Sequence, residues 1–440
     1  MLRPQILLRL SLIALGTMSG DRWTSAESPA DAQQAVHLRV ARLIDQLASP
    51  SFNDRQAADV ELTEIGEEGR AALEAAADSE DPEVRLRITR LLKQLKIEAL
   101  WQGSPVRFNN QSMLASTAIE AISQQTGNEV LVGDQYGEFA DGTIDLTAPT
   151  GLFWPVIDDI CRRSGNRFRP RYGNAVPGWV LIAGDLGQYP VAYAGPIRAH
   201  ISSGRRVFIE QFDYEDENSE TTHTLQFNVT MAWEDRFRLV AHHSKVQVLD
   251  LEADVPHHAM QQPPVEEDWQ VLDSSAQQYG TTLKLTPPPP AATSLRRLSL
   301  GWDVIAVGDW STLEIEPLTE GDLHRRDDVG LRVVEVKQTG PTRWELELAI
   351  KRMLIVPQPD DVLLVENEFE VWDQQGEPLT IQNRTRGNSS KGTARLTLAC
   401  TAASEASVPA RLSVHYPKIR DRRQIKIVFR DVPLPSAQPE

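Results

Sequence analysis

The chain has 440 residues, 41% hydrophobic and 24% charged, a globular composition that excludes an intrinsically disordered chain. Its formal net charge of −17 excludes a nucleic-acid-binding protein, which needs a concentrated basic face. At this length about two to four domains are expected.

The chain opens "MLRPQILLRLSLIALGTMSG". Arg3 and Arg9 flank the apolar run Leu10 to Leu15, and Thr24-Ser25-Ala26 offers a small-x-small cleavage site. That order predicts a signal peptide over 1–26 and a periplasmic or secreted product. No later window reaches ~18 uninterrupted apolar residues, so no membrane span is expected in the mature chain.

Residues 33–99 read as helix. Val36, Val40, Leu43, Ile44 and Leu47 repeat at helical spacing until Ser49-Pro50 breaks the run. A second helix from about Asn53 is expected to bury Ala57, Val60, Leu62 and Ile65 and to stop at Gly66. In "DPEVRLRITRLLKQL", Asp81 can cap, Pro82 suits the first turn, and Val84, Ile88, Leu91 and Leu95 form the buried stripe. This Asp-Pro-x-Val-Arg segment resembles the second helix of a HEAT-type repeat. That resemblance covers two helical pairs and implies a protein-binding surface.

Residues 104–185 predict a small α+β module of β-α-β-β-α-β-β order. "SPVRFNNQS" alternates like a strand, and a helix over Met113–Gln125 is expected to bury Leu114, Ala118, Ile119 and Ile122. "NEVLVGD" and "GTIDLTAP" give strands, "FWPVIDDICRRSG" a second helix, and "RFRPRYG" and "GWVLIAG" a hairpin. Two helices on one face of a small sheet is the expected packing. Leu114, Ile119, Ile122, Val130, Val132, Ile144, Leu146, Val156, Ile157 and Ile160 are expected to share one core. Gly127 and Gly165 follow the helices and need a left-handed conformation there; neither belongs to a phosphate-binding loop.

The run Gln125-Thr126-Gly127, the strands Val130–Val132 and Ile144–Pro149, and Gly165 resemble the secretin and TonB short N-terminal (STN) domain, over about 80 of the 440 residues. The resemblance implies a docking module, without the membrane barrel of a whole secretin. Gly151 and Trp154-Pro155 depart from it, standing where the family has a smooth helix start.

Beyond Gly184 the period changes to two. Leu225, Phe227, Val229 and Met231 are expected to line one strand face, and Pro287 to Pro290 to mark a sheet edge or linker. About eleven strands suggest sandwich packing, as one large or two small β-domains, with bounds 190–320 and 325–434 if two and a disordered tail over 435–440. The fold class expected is thus multidomain α+β: a helical HEAT-like segment, a small βαββαβ module and a C-terminal β-sandwich region.

The groups with chemical potential are few. His242-His243 and His257-His258, near Glu252, Asp254 and Glu266-Glu267-Asp268, could supply metal ligands. Adjacent strand residues point to opposite faces, so each pair offers one ligand per face, and surface histidines are the default reading. There is no H-E-x-x-H, no paired C-x-x-C and no G-x-S-x-G. Asp158-Asp159 and Asp360-Asp361 lack the separation of a glycosidase pair. "DYEDENSE" lacks EF-hand spacing and reads as a solvated hairpin tip. Trp233, Trp302, Trp310 and Trp372 could form a sugar platform but are expected in the core. Cys161 and Cys400, in apolar contexts of different domains, are expected to be buried and unpaired.

No catalytic, cofactor-binding or metal-ligating residue is assigned. The function expected is that of a non-enzymatic, exported envelope protein serving as an interaction or scaffold component. Its protein partners would dock on the helical segment or the STN-like module. The alternative is a carbohydrate-active or metal-dependent envelope hydrolase sited in the β-rich half.

Overall fold

The computed structural model describes residues 29–108, 111–133, 137–146, 150–171, 178–213, 218–255, 268–272, 276–352, 368–387 and 393–436. The expected signal segment 1–26 lies outside them. The chain divides into two compact units, to Leu95 and from Lys96.

The first unit holds helices α1 (Pro29–Leu47), α2 (Phe52–Ile65), α3 (Arg70–Ala75) and α4 (Pro82–Trp101), the last running on into the second unit. Val40, Leu43 and Leu47 of α1 and Val84, Ile88, Leu91 and Leu95 of α4 are buried in one core, as their spacing predicts. Asp81 accepts the Glu83 N–H at 2.8 Å and caps α4. In α2 the buried face differs from the expected one. Ala57 and Val60 are exposed, and Ala58, Asp59 and Leu62 are buried. Asp59 takes a place on that face, its carboxylate paired with Arg90 of α4, whose side chain is 61% exposed.

The second unit begins with a small α/β module. It comprises β1 (Pro105–Arg107), β2 (Gln111–Leu114), α5 (Ala115–Thr126), β3 (Val130–Val132), β4 (Thr143–Leu146), β5 (Thr150–Leu152), α6 (Phe153–Ser164), β6 (Asn166–Pro170) and β7 (Trp179–Ala183). Among the described residues the strands do not form the single sheet expected. They pair as β1–β5, β2–β4 and β3–β7–β6, because strands this short carry few ladder bonds and are held by the shared core instead. Ile119, Ile122, Val130, Ile144, Leu146, Ile157 and Ile160 are buried in that core, with Val132 and Val156 half-buried against it. Leu114 is the exception, 45% exposed. It lies outside the helix as the extended N-cap residue of α5, so its side chain follows the strand's alternation rather than the helical stripe. Gly127 and Gly165 both have φ of 70° and end α5 and α6, as the sequence requires.

Ile122 is fully buried and Glu120 exposed on the same helix. Ile122→Ala is therefore expected to cost about 2 to 5 kcal/mol, and Glu120→Ala to stay within about 0.5 kcal/mol. Chemical denaturation of the full chain reads the difference. Equal costs would contradict the shared core.

The remainder is β-rich. It contains β8 (Val191–Ala194), β9 (Ile197–Asp213), β10 (Asn218–Trp233), β11 (Arg238–His243), β12 (Gln247–Ala253), β13 (Trp269–Val271) and β14 (Gln278–Leu285). Then come β15 (Ser294–Ile315), β16 (Leu323–Arg326), β17 (Val329–Gly340), β18 (Arg343–Arg352), β19 (Glu368–Asp373), β20 (Pro378–Arg386), β21 (Thr393–Thr401) and β22 (Pro409–Pro433). Among the described residues β14-β10-β9-β8 form a four-stranded sheet, and β11 to β13 with β15 to β22 form an eleven-stranded one. The chain is thus a mixed α/β protein with large sheets and a β-rich C-terminal region.

The two sheets share a core. Leu225, Phe227, Val229 and Met231 of β10 point into it, opposite Leu298, Leu300, Trp302, Val304 and Ala306 of β15. Ile305 and Val307, on the other face of β15, join a small cluster with Val240 and Ala241. Burial on both faces explains the near-continuous apolar run of this strand. A second core gathers Leu313, Ile315, Leu331, Leu346, Leu348, Leu396, Leu398 and Val414.

The sequence divides this region between residues 320 and 325, but the polypeptide does not divide so simply. β15 and β22 pair antiparallel from Ser294↔Pro433 to Ile315↔Leu412. Ile419, Ile425, Ile427, Phe429 and Val432 consequently lie in the first core, although the sequence assigns them to the later domain. Non-local pairing of this kind leaves no local signature. Pro435, placed by the sequence in the tail, accepts a hydrogen bond from Arg206 at 3.1 Å.

No helix among the described residues is long and apolar enough to cross a membrane.

Candidate functional site

The segment "IRAHI" at the start of β9 alternates between two environments. Ile197, Ala199 and Ile201 point into the first β core. Arg198 and His200 therefore share the opposite face, where they line a cavity of about 420 Å³. Its other walls include Phe168 of β6, Trp179 of β7 and Tyr189 of the following loop.

Charge organises this face. Asp158 on α6 is fully buried, and Arg198 is 2% exposed. The Arg198 Nε donates to both Asp158 carboxylate oxygens at 3.0 Å, and the Tyr193 hydroxyl donates to Oδ2 at 2.5 Å. Burial, reinforced by the Asp158 charge, holds the Tyr193 hydroxyl well above its usual pKa and keeps it protonated as the donor. The Arg198 guanidinium carbon lies 4.8 Å from the centroid of the Phe168 ring. Its Nη1 is 3.0 Å from His200 Nδ1. Burial, then the adjacent Arg198 charge, pushes the His200 pKa down to about 4. A neutral imidazole accepting at Nδ1 carries its proton on Nε2.

The neighbouring thiol is not reactive. Cys161 is buried, and burial followed by the Asp158 charge pushes its pKa up to about 12. Cys400 is buried and unpaired as well, its thiol pushed up to about 11 by burial. Thiol alkylation under denaturing, non-reducing conditions is expected to label both cysteines by mass spectrometry. A disulfide-linked peptide pair would contradict the structure.

A second buried cluster joins the module to the β-rich region. The Glu234 carboxylate, with no exposure, accepts the Ser104 N–H at 2.9 Å, Asn128 Nδ2 at 3.2 Å and Arg236 Nε at 3.0 Å. The Ser104 hydroxyl donates to it as well. Arg236 N–H in turn donates to Asn128 Oδ1 at 3.1 Å. A buried charge with this many partners is compensated rather than poised for chemistry.

The residues singled out from the sequence are dispersed. His242 and His243 are buried, at 2% and 5% exposure, which overturns the surface reading. They do take opposite faces. His242 packs 4.0 Å from the Tyr279 ring and 5.7 Å from Trp302, whereas His243 lies 5.9 Å from Trp269. The aromatic neighbours bury the imidazoles, and burial lowers the His242 pKa. His257-His258, Glu266-Glu267 and Asp360-Asp361 lie outside the described residues, as do residues 214–217 of the acidic tip.

Glu252 is exposed, and Asp254 fastens the start of β15 by accepting from Thr293 and Ser294 N–H groups at 3.0 and 3.1 Å. Asp159 pairs with Arg163 at 2.8 Å. Among the described residues no three His, Cys, Asp or Glu side chains come together to hold a metal ion. Trp233 and Trp302 are core residues, at 2% and 0% exposure. Trp310 and Trp372 lie against Arg238 and Arg411, at 4.8 and 4.2 Å.

Sequence reasoning missed Arg198 and His200. The available signal was two basic residues alternating with Ile, Ala and Ile at strand period. No family model matches the chain, and no curated protein matches it.

Proposed function

We propose that the protein is a non-enzymatic, exported component of the cell envelope that acts as an interaction or scaffold protein. The observation that carries the reading is the Glu234 cluster. Its charge is spent on Ser104, Asn128 and Arg236, fastening the small module to the β-rich body. A scaffold needs that fixed geometry, and a buried ionic network of this kind can specify how two parts of a chain pack.

The sequence supplies the rest of the support. The basic and apolar order of residues 1–26 supports export. The Asp-Pro-x-Val-Arg helix supports a HEAT-like docking surface in residues 33–99, and the element order of 104–185 supports an STN-like one.

Cross-linking in intact envelopes of the native host, read by mass spectrometry, tests this. The expected result is a processed chain starting after Ala26 and a reproducible protein partner cross-linked to residues 33–185. A cytosolic chain starting at Met1 would overturn export. Hydrolysis of envelope glycans by the purified protein would favour the hydrolase reading instead.

A further inference from the structure

Arg198 has more donors than its partners accept. A guanidinium carries five N–H groups in a planar fork. Here Nε serves Asp158 and Nη1 faces His200, while Nη2 has no hydrogen-bond partner among the described residues. The side chain is 2% exposed, yet Nη2 is not among the fully enclosed polar atoms without a partner, so a small molecule in the cavity can reach it. Its open side faces the cavity of about 420 Å³.

We infer that this cavity is a binding site for a small organic monocarboxylate with an aromatic or apolar body, the carboxylate being received by Arg198 Nη2 and His200 Nε2. The lining suits a negative group. Arg167 and Arg198 line the cavity, and Asp185 is the one lining carboxylate among the described residues. Asp185 is already engaged at the rim, where its Oδ1 accepts the Gly187 N–H at 2.8 Å. Asp158 offsets part of the Arg198 charge, so the remaining fork suits a monoanion better than a phosphate dianion.

The walls select the rest of the ligand. Phe168 and Trp179 are edge to face, 5.5 Å between centroids, and Tyr189 stands 5.4 Å from the His200 ring. A volume of this size lies in the range of small-molecule sites, and apolar walls with a few convergent donors are their usual chemistry. The neutral His200 contributes a donor without adding a charge. A clamp serving Asp158 alone needs only Nε, whereas Nη1 also meets His200 Nδ1 at 3.0 Å and both side chains line the cavity.

The test uses 1-naphthylacetate and its uncharged counterpart 1-naphthylacetamide, titrated calorimetrically into the full-length mature chain. The acid is expected to bind at one site, and the amide at least about tenfold more weakly, because the buried fork is left without its anion. Arg198→Lys keeps a cation for Asp158 but removes the fork, and should weaken the acid by about tenfold while leaving the amide unchanged. His200→Phe removes the second donor at a position that tolerates an aromatic ring, and should weaken the acid several-fold; it decides the matter if Arg198→Lys does not fold. The inference is overturned if the acid does not bind, if acid and amide bind equally, or if the folded variants bind the acid as the parent chain does.

Discussion

Asp158→Ala is expected to destabilise the second unit by about 3 to 5 kcal/mol, the cost of stranding one member of a buried ion pair. Asp158 is fully buried and Arg198 2% exposed, so the stranded guanidinium keeps little contact with water. The Tyr193 hydroxyl loses its acceptor in the same substitution. The double variant Asp158→Leu with Arg198→Met removes both charges, and should recover much of the loss because the two sites are then filled by apolar volume. Chemical denaturation of the parent, the single variant and the double variant gives the coupling. A double variant no more stable than Asp158→Ala would show that the pair is not where the energy lies.

Trp154→Ala should cost about 3 to 5 kcal/mol, the range for deleting a large core aromatic. Trp154 is 1% exposed and sits at the centre of an aromatic group. Its ring centroid is 5.0 Å from Phe153, 5.3 Å from Phe168 and 5.0 Å from Trp179. Its Nε1–H donates to the Pro196 carbonyl at 2.9 Å, and so ties α6 to the turn that leads into β9. Trp154→Phe keeps most of the ring contacts and loses that donor, so about 1 kcal/mol is expected. The loss should appear together in the denaturation midpoint and the near-ultraviolet circular dichroism. Similar costs for the two variants would assign the effect to the hydrogen bond alone.

Trp154 shows how sequence and structure divide the information. The sequence places Trp154-Pro155 at the start of the second helix of residues 104–185, with no reason for the indole visible in the chain. Tertiary structure supplies one: the indole fills the junction between the module and β9, and its polar edge reaches Pro196. The same junction holds Arg198 and His200, whose strand segment carries no recognisable motif.

The sequence by itself determined those features that depend on neighbours a few residues away. Helical spacing places Val40, Leu43 and Leu47 inside, as they are in the structure. Gly127 and Gly165 end helices because the left-handed backbone needed there is open to a residue without Cβ. Alternation along β10 sends Leu225, Phe227, Val229 and Met231 to one face. The apolar surroundings of Cys161 and Cys400 forecast their burial.

Only the tertiary structure decided what each face meets. The pairing of β15 with β22 joins residues far apart in the chain, and it carries the end of the polypeptide back into the first β core. His242 and His243 are buried because aromatic rings from β13, β14 and β15 cover them. In α2, Asp59 lies on the buried face that period alone gives to apolar residues, and its carboxylate meets Arg90 of α4. Period and composition record the dihedral preference and polarity of each residue. The burial of a charge depends instead on a partner across the fold, as Asp158 and Arg198 show, 40 residues apart and within hydrogen-bonding distance.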